Sequence, residues 1–254
     1  MEKVFEVKDL GVETRLGKRI LSQVNFSIAK NQTVVLIGPN GAGKSTVAGA
    51  IMGDPRFKVS GSVKFTGEEM LGLSVDERAA RGIFMSFQSP AEIPGISTTE
   101  MIRAVLEEKK GGFVPIDEIR DGISAAAKRL FLNIWFAERE LNVGFSGGEK
   151  KKNEILQMLS LKPKLVILDE LDSGLDVDAG RQISQILADY QKESGCAYLI
   201  ITHNLRVLGS LRPSKAVLLN QGHVVAVGDE KLLRRVESEG FKAVLGDFEK
   251  KGAK

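Results

Sequence analysis

The sequence predicts an α/β fold with a mixed, largely parallel sheet at its core, and three observations support this prediction. Continuously apolar runs at residues 34–37, 165–168 and 198–201 are typical of strands buried on both faces of a parallel sheet. Helical patterns separate these runs. Residues 3–10 and 24–28 instead alternate apolar and polar side chains, which indicates an antiparallel β subdomain with one solvated face.

An inserted helical subdomain is expected between two strands of the main sheet. Residues 96–145 lack an apolar strand run and favour helix. The predicted organisation is a core of residues 1–95 and 146–254, which includes the antiparallel subdomain, and a helical subdomain of residues 96–145. The charged, amphipathic stretch 229–254 predicts one or two terminal helices.

Composition excludes several classes of protein. The chain has 254 residues with 43% hydrophobic and 27% charged residues, so disorder throughout is excluded. A single Cys excludes a disulfide framework and a cysteine metal centre, and it suits a reducing, cytoplasmic location. The net charge of +3 does not predict nucleic-acid binding. No apolar run approaches the ~20 residues of a membrane span, so no membrane insertion is expected.

A phosphate-binding loop is predicted at residues 38–45, which match G-x-x-x-x-G-K-[ST] between an apolar strand and a helical stretch. Glycines let successive backbone N–H groups converge on a dense anion, and the N-terminus of the following helix adds a favourable dipole. Lys44 would bring its charge to the outer phosphates, and the Ser45 hydroxyl can ligate Mg²⁺. A chance match is the alternative, which the flanking strand and helix disfavour. The predicted nucleotide-binding residues are Gly38, Pro39, Asn40, Gly41, Ala42, Gly43, Lys44, Ser45 and Thr46.

Two carboxylates follow the second buried strand. Asp169 and Glu170 come directly after residues 165–168, and side chains at the carboxyl ends of parallel strands enter the ligand crevice. Asp169 is the natural partner of Mg²⁺. Glu170 points the other way by strand alternation and can act as general base on a water near the terminal phosphate. The alternative is an ordinary acidic strand end.

Further polar residues lie at positions suited to the same chemistry. Ser146, Gly147 and Gly148 open an amphipathic helix and predict a second anion site, with a plain helix cap as the alternative. Gln88 follows a strand-like stretch and can touch both the metal and the attacking water, although a solvated loop residue is the alternative. His203 follows the strand at 198–201 and can donate a hydrogen bond to the γ-phosphate; the alternative is a capping histidine.

In this order and spacing, the motifs resemble the ATPase domain of the ATP-binding cassette superfamily over nearly the whole chain. The resemblance implies a P-loop NTPase fold of ABC-ATPase type, with ATP and Mg²⁺ as cofactors. It also implies an ATP-dependent head-to-tail homodimer in which Ser146, Gly147 and Gly148 contact the γ-phosphate bound to the opposite subunit, and Asp176 crosses the interface. The predicted catalytic residues are Glu170, His203, Gln88 and Lys44, and the predicted metal ligands are Ser45, Gln88 and Asp169.

Four stretches are similar to the SufC family, the ATPases of SUF iron–sulfur cluster assembly: residues 86–96, 144–154, 168–178 and, in the tail, 227–241. The resemblance implies partners like the scaffold proteins SufB and SufD, which would have to supply the cluster ligands. Two departures are Leu171 in place of a more usual Thr and the absence of an aromatic after His203. No Tyr or Trp occurs in residues 1–30, and Val12 is the expected substitute for an aromatic platform under adenine.

Two other functions compete with this interpretation. The first is the ATPase subunit of an ABC membrane transporter, against which residues 88–96 and the tail argue. The second is a nucleic-acid or ribosome clamp that uses ATP as a switch, but such proteins typically carry two cassettes or a long coiled-coil insert.

Single residues outside the motifs receive structural predictions. Cys196 is expected in the core, and Trp135 in the core of the helical subdomain. Lys150, Lys151 and Lys152 are expected to form a solvated face. The apolar residues of 89–96 have two open interpretations: a partner-docking surface or packing beneath the insertion.

Overall fold

The computed structural model describes residues 2–170, 175–202 and 208–252. Its central sheet has six strands in the order β12-β11-β3-β10-β9-β6. The five strands from β11 to β6 run parallel to one another, and the edge strand β12 is antiparallel to β11. The α/β fold with a mixed sheet core is therefore confirmed. The strands are β3 (Thr33–Ile37), β6 (Ile83–Ser86), β9 (Leu165–Asp169), β10 (Ala197–Ile201), β11 (Lys215–Asn220) and β12 (His223–Gly228).

The separate antiparallel sheet predicted from alternation is also confirmed. It has four strands in the order β2-β1-β4-β5, and the two long strands β1 and β2 pair antiparallel. In β2, Val24, Phe26 and Ile28 are buried while the residues between them are more exposed, because successive side chains point to opposite faces. The strands are β1 (Lys3–Thr14), β2 (Arg19–Ala29), β4 (Phe57–Phe65) and β5 (Glu68–Glu69).

The central strands are buried on both faces, as their continuous apolar runs predict. In β3, Val35 and Ile37 belong to one hydrophobic core, while Val34 and Leu36 belong to the other. Helices cover the sheet: α1 (Lys44–Met52), α2 (Val75–Ala80), α5 (Gly147–Leu161), α6 (Val177–Ser194) and α7 (Glu230–Gly252). Gly240 interrupts α7 with non-helical backbone angles, which matches the expectation of one or two terminal helices.

Residues 93–141 contain two helices, α3 (Thr98–Lys110) and α4 (Ile116–Arg129), and a 3₁₀ turn at Ile134–Glu138. They also contain an unforeseen two-stranded sheet of β7 (Ile93–Ser97) and β8 (Glu140–Leu141). The proposed division into 1–95 plus 146–254 and 96–145 stays a prediction, and β7 runs across its first boundary.

Single-residue expectations have mixed outcomes. Cys196 is buried, as expected. Trp135 is not in the core, since 72% of it is exposed. The prediction of a solvated face is wrong for Lys151, because this residue is only 1% exposed. Among the described helices, none combines the length and apolarity that a membrane span requires.

Candidate functional site

The loop at residues 38–45 joins the central strand β3 to α1, as the motif requires. Gly41 and Gly43 adopt φ of 78° and 103°, a left-handed conformation that favours glycine. Gly38 allows close packing, because a Cβ there would lie 2.2 Å from the Leu219 carbonyl oxygen of β11. The loop is thus seated on the sheet and ends in the N-terminus of α1, whose free N–H groups favour an anion.

Lys44 lies across this loop. Its Nζ donates hydrogen bonds to the carbonyl oxygens of Gly38 at 2.9 Å and Pro39 at 3.0 Å. Burial lowers the pKa of the Lys44 ammonium, and the nearby carboxylates of Glu170 and Asp169 oppose that effect. The Lys44 ammonium is therefore held over the loop, close to the carboxylates of Asp169 and Glu170.

Asp169 ends β9 and reaches the helix that follows the loop. Asp169 is only 5% exposed, and the Ser45 hydroxyl is near enough to its carboxylate to act on its pKa. Burial raises the pKa of Asp169, whereas the neighbouring Ser45 hydroxyl and the charge of Lys44 lower it. A hydroxyl and a carboxylate side by side are the hard oxygen donors that Mg²⁺ prefers, so these residues fit the predicted metal ion.

Gln88 and Glu170 meet at the same edge of the sheet. Strands β6 and β9 are parallel neighbours, so the residues that follow them lie close together. Gln88 Nε2 donates a hydrogen bond of 2.5 Å to Glu170 Oε2. The Glu170 backbone has φ of 51°, an uncommon conformation for a non-glycine residue and one that concentrates at functional sites. The structure therefore brings together Lys44, Ser45, Gln88, Asp169 and Glu170.

The remaining predicted residues lie outside this set of contacts. Ser146 is the N-cap of α5 and forms a capping box with Glu149: the Glu149 N–H donates to Ser146 Oγ at 3.2 Å, and the Ser146 N–H donates to the Glu149 carboxylate at 2.8 Å. Asp176 caps α6 by accepting the Ala179 N–H at 2.8 Å. His203 lies outside the described residues.

Two features of the region differ from the sequence interpretation. Val12 is fully buried, so it is not available as a surface under adenine, and that expectation is wrong. A buried ion pair between Lys151 and Glu154, with a nitrogen–oxygen distance of 2.8 Å, contacts the two residues that precede Gln88 and was not foreseen. The run of three lysines gave no signal for it, because three consecutive residues of a helix can all lie on its solvated side.

Comparison with known proteins supplies the family. The family model described as ABC transporter matches residues 21–173, more than half of the chain. The chain belongs to this family. A probable ABC transporter ATP-binding protein of Streptococcus pyogenes serotype M18 is 41% identical over 250 residues, covering 96% of each protein. The iron–sulfur cluster assembly protein SufC of Plasmodium falciparum is 37% identical over 248 residues, covering 95% of this chain and 71% of that protein.

The fold agrees with that assignment. The dimeric structure of a bacterial ABC transporter cassette matches this chain with a TM-score of 0.76 and 25% identity, covering 89% of this chain and 98% of its own. The chain is therefore an ATP-binding cassette ATPase.

Proposed function

We propose that the chain is the Mg²⁺-dependent ATPase of an iron–sulfur cluster assembly machinery of the SUF type. The observation that carries the proposal is the likeness to SufC of Plasmodium falciparum across 95% of the chain. The four SufC-like stretches support the same proposal, and two of them, 86–96 and 168–178, contain Gln88 and Glu170. ATP binding would drive two copies together, and their closure would remodel a scaffold of SufB- and SufD-like proteins. A cytoplasmic location belongs to the same proposal.

The contacts around the loop support a division of roles in hydrolysis. Residues 38–46 would hold the phosphates through backbone N–H groups, and Lys44 would neutralise the outer phosphate charge. Ser45, Gln88 and Asp169 would hold Mg²⁺, which supplies charge neutralisation at the phosphate oxygens when bound. Glu170 lies next to the metal-binding carboxylate and would take the proton of the attacking water. His203 would donate a hydrogen bond to the γ-phosphate.

A second subunit would complete the site. Ser146, Gly147 and Gly148 begin α5 and take no part in the contacts that join the residues around Lys44. The related bacterial cassette is dimeric. In a head-to-tail pair, the α5 N-terminus of one copy would face the phosphates bound to the other, with Asp176 at the interface. The Ser146 hydroxyl can still donate its proton to a phosphate oxygen while it accepts the capping N–H.

The partner would dock beside Gln88. Ile93 and Ile96 are 42% and 44% exposed, so they do not pack beneath the insertion. Apolar side chains exposed together in a short edge strand suit a protein contact. Because residues 89–96 follow Gln88 directly, a partner seated there would be moved when Gln88 responds to the nucleotide.

A transporter subunit is the competing function, favoured by the name of the Streptococcus pyogenes relative. A tagged chain purified from cells, followed by mass spectrometry, separates the two functions. The SUF proposal expects a pair of scaffold proteins without membrane spans in the detergent-free fraction. Recovery of a protein with several membrane spans, only after detergent extraction, would instead establish the transporter subunit.

A further inference from the structure

A closed polar cluster lies buried between the end of β6 and helix α5. The Glu154 carboxylate accepts three hydrogen bonds: from the Phe87 N–H at 2.7 Å, the Ser86 hydroxyl at 2.8 Å and Lys151 Nζ at 2.8 Å. Its charge is therefore compensated entirely by groups at this junction. We call Ser86, Phe87, Lys151 and Glu154 the clasp.

The Lys151 ammonium is satisfied in the same way. Its three protons have three acceptors: Glu154 at 2.8 Å, Ser86 Oγ at 3.0 Å and the Phe87 carbonyl oxygen at 3.2 Å. The side chains of Lys151 and Glu154 are 2% and 5% exposed. Taking two charges out of water is costly, and apolar residues of similar volume often stabilise a fold equally well. Directional bonding, rather than stability, is what distinguishes the clasp from an apolar contact.

The clasp holds the two residues immediately before Gln88, and a second set of contacts holds the chain three and four residues after it. Glu92 pairs with Lys150 at 2.7 Å, and the Ala91 carbonyl oxygen accepts a hydrogen bond from Asn142 at 2.9 Å. Lys150 and Lys151 both belong to α5. Gln88 is thus flanked on both sides by contacts to the helix that begins at the Ser146 cap.

We propose that Lys151 and Glu154 are positioning residues that fasten Gln88 to α5. Through them, Gln88 and the Ser146 end of α5 move as one body. A displacement of Gln88 by the γ-phosphate is then delivered to the surface that meets the second subunit. The functional part of the inference rests on the proposed role of Gln88, whereas the mechanical part concerns this chain alone.

The mechanical part is tested by a distance measurement that needs no activity. Spin labels are attached to cysteines introduced at the exposed positions Ser89 and Glu108, the latter on α3, which packs against α5. Cys196 can remain, because burial raises the pKa of its thiol to about 12 and keeps it unreactive. The clasp variant is Lys151→Met with Glu154→Leu, which keeps volume and removes the directional bonds.

The clasp variant is expected to broaden the pulsed-EPR distance distribution about twofold, because the chain beside Gln88 loses the hydrogen bonds that fix its position relative to α5. The matched control is Arg129→Met with Glu193→Leu, an ion pair with side chains 40% and 54% exposed, which should leave the distribution unchanged. An unchanged width in a folded clasp variant overturns the proposal. If that variant does not fold, Ser86→Ala removes only the bridging hydroxyl, and it must broaden the distribution relative to the control.

Steady-state ATP hydrolysis by the full chain separates positioning from general damage. The clasp variant is expected to lower kcat about tenfold while KM for ATP stays within about twofold, since residues 38–45 still bind the phosphates. An unchanged kcat, or a change confined to KM, overturns the role in hydrolysis. Broadening together with normal kcat would show that the link exists but that Gln88 has no part in hydrolysis, which is a failure of the proposed function and not of the link.

Discussion

Replacement of Arg78 by Met is expected to destabilise the protein at the far end of the helix that follows the phosphate loop. Arg78 is 3% exposed, and its guanidinium donates to the carbonyl oxygens of Leu73 at 3.1 Å, Ala50 at 3.0 Å and Ile51 at 2.6 Å. The last two belong to the C-terminal turn of α1, where a cation is also favoured by the helix dipole. Ala50 retains a second donor, the Gly53 N–H at 3.2 Å, so the loss falls mainly on Leu73 and Ile51.

The size of the effect follows from those two carbonyl groups. A buried carbonyl that loses its donor costs about 1–3 kcal/mol, and the methionine recovers part of this because it needs no desolvation, so we expect a loss of about 2–4 kcal/mol in unfolding free energy. For a chain of this size the melting temperature should fall by roughly 4–16 °C.

Thermal unfolding followed by circular dichroism measures the change. The matched control is Arg81→Met, three residues further on, whose side chain is 37% exposed and bonds at the surface to the Glu77 carbonyl oxygen and to Glu68. The control should shift the melting temperature by no more than about 2 °C. If Arg78→Met and Arg81→Met melt together, the guanidinium does not secure α1 and the reasoning fails.

Three further predictions address the proposed function. Glu170→Gln should bind ATP but release phosphate about 10²- to 10⁴-fold more slowly, because the general base is lost, and near-normal phosphate release by the purified variant would remove Glu170 from that role. The same variant with Mg-ATP should elute as a dimer in size-exclusion chromatography, and adding Ser146→Arg should return it to the monomer; a dimer that persists with Arg at this position would contradict the proposed interface. Ile93→Asp should weaken binding of the captured scaffold partners in a pull-down. The control is Val75→Asp, since Val75 is 43% exposed and Ile93 is 42% exposed; this variant should bind the partners as the unaltered protein does. If Ile93→Asp also binds them as tightly as the unaltered protein, the docking site lies elsewhere.

The central sheet could be predicted because its strands carry a strong local signal. Residues 34–37, 165–168 and 198–201 are continuously apolar, and each run falls within a strand buried on both faces. The short strands β7 and β8 carry no such signal. Ile93–Ser97 contains Pro94 and Gly95, which disfavour regular pairing, and its partner β8 has only two residues. Such a pair forms because the surrounding elements bring the two segments together.

The candidate site shows the same division. Lys44, Ser45 and Asp169 could be placed together because the phosphate motif and the end of a parallel strand have fixed positions relative to a sheet. The buried contacts that hold the chain before Gln88 could not be predicted, since they depend on which lysine of residues 150–152 faces inward. Glu154 does not resolve this, because both Lys150 and Lys151 lie one helical turn before it and could pair with it. Val12 was misplaced because alternation shows that a strand has two faces but does not show which face the core covers.

The position of β3 in the sheet sets an order of events during synthesis. This strand carries the phosphate loop, yet both of its neighbours in the sheet, β10 and β11, belong to the last third of the chain. A ribosome adding about 5–20 residues per second needs roughly 8–30 s to travel from the end of β3 to the start of β10. Throughout that interval β3 lacks both of the strands that flank it in the finished sheet. The loop therefore gains its full support from the sheet only after β10 and β11 have been synthesised, more than 150 residues after the loop itself.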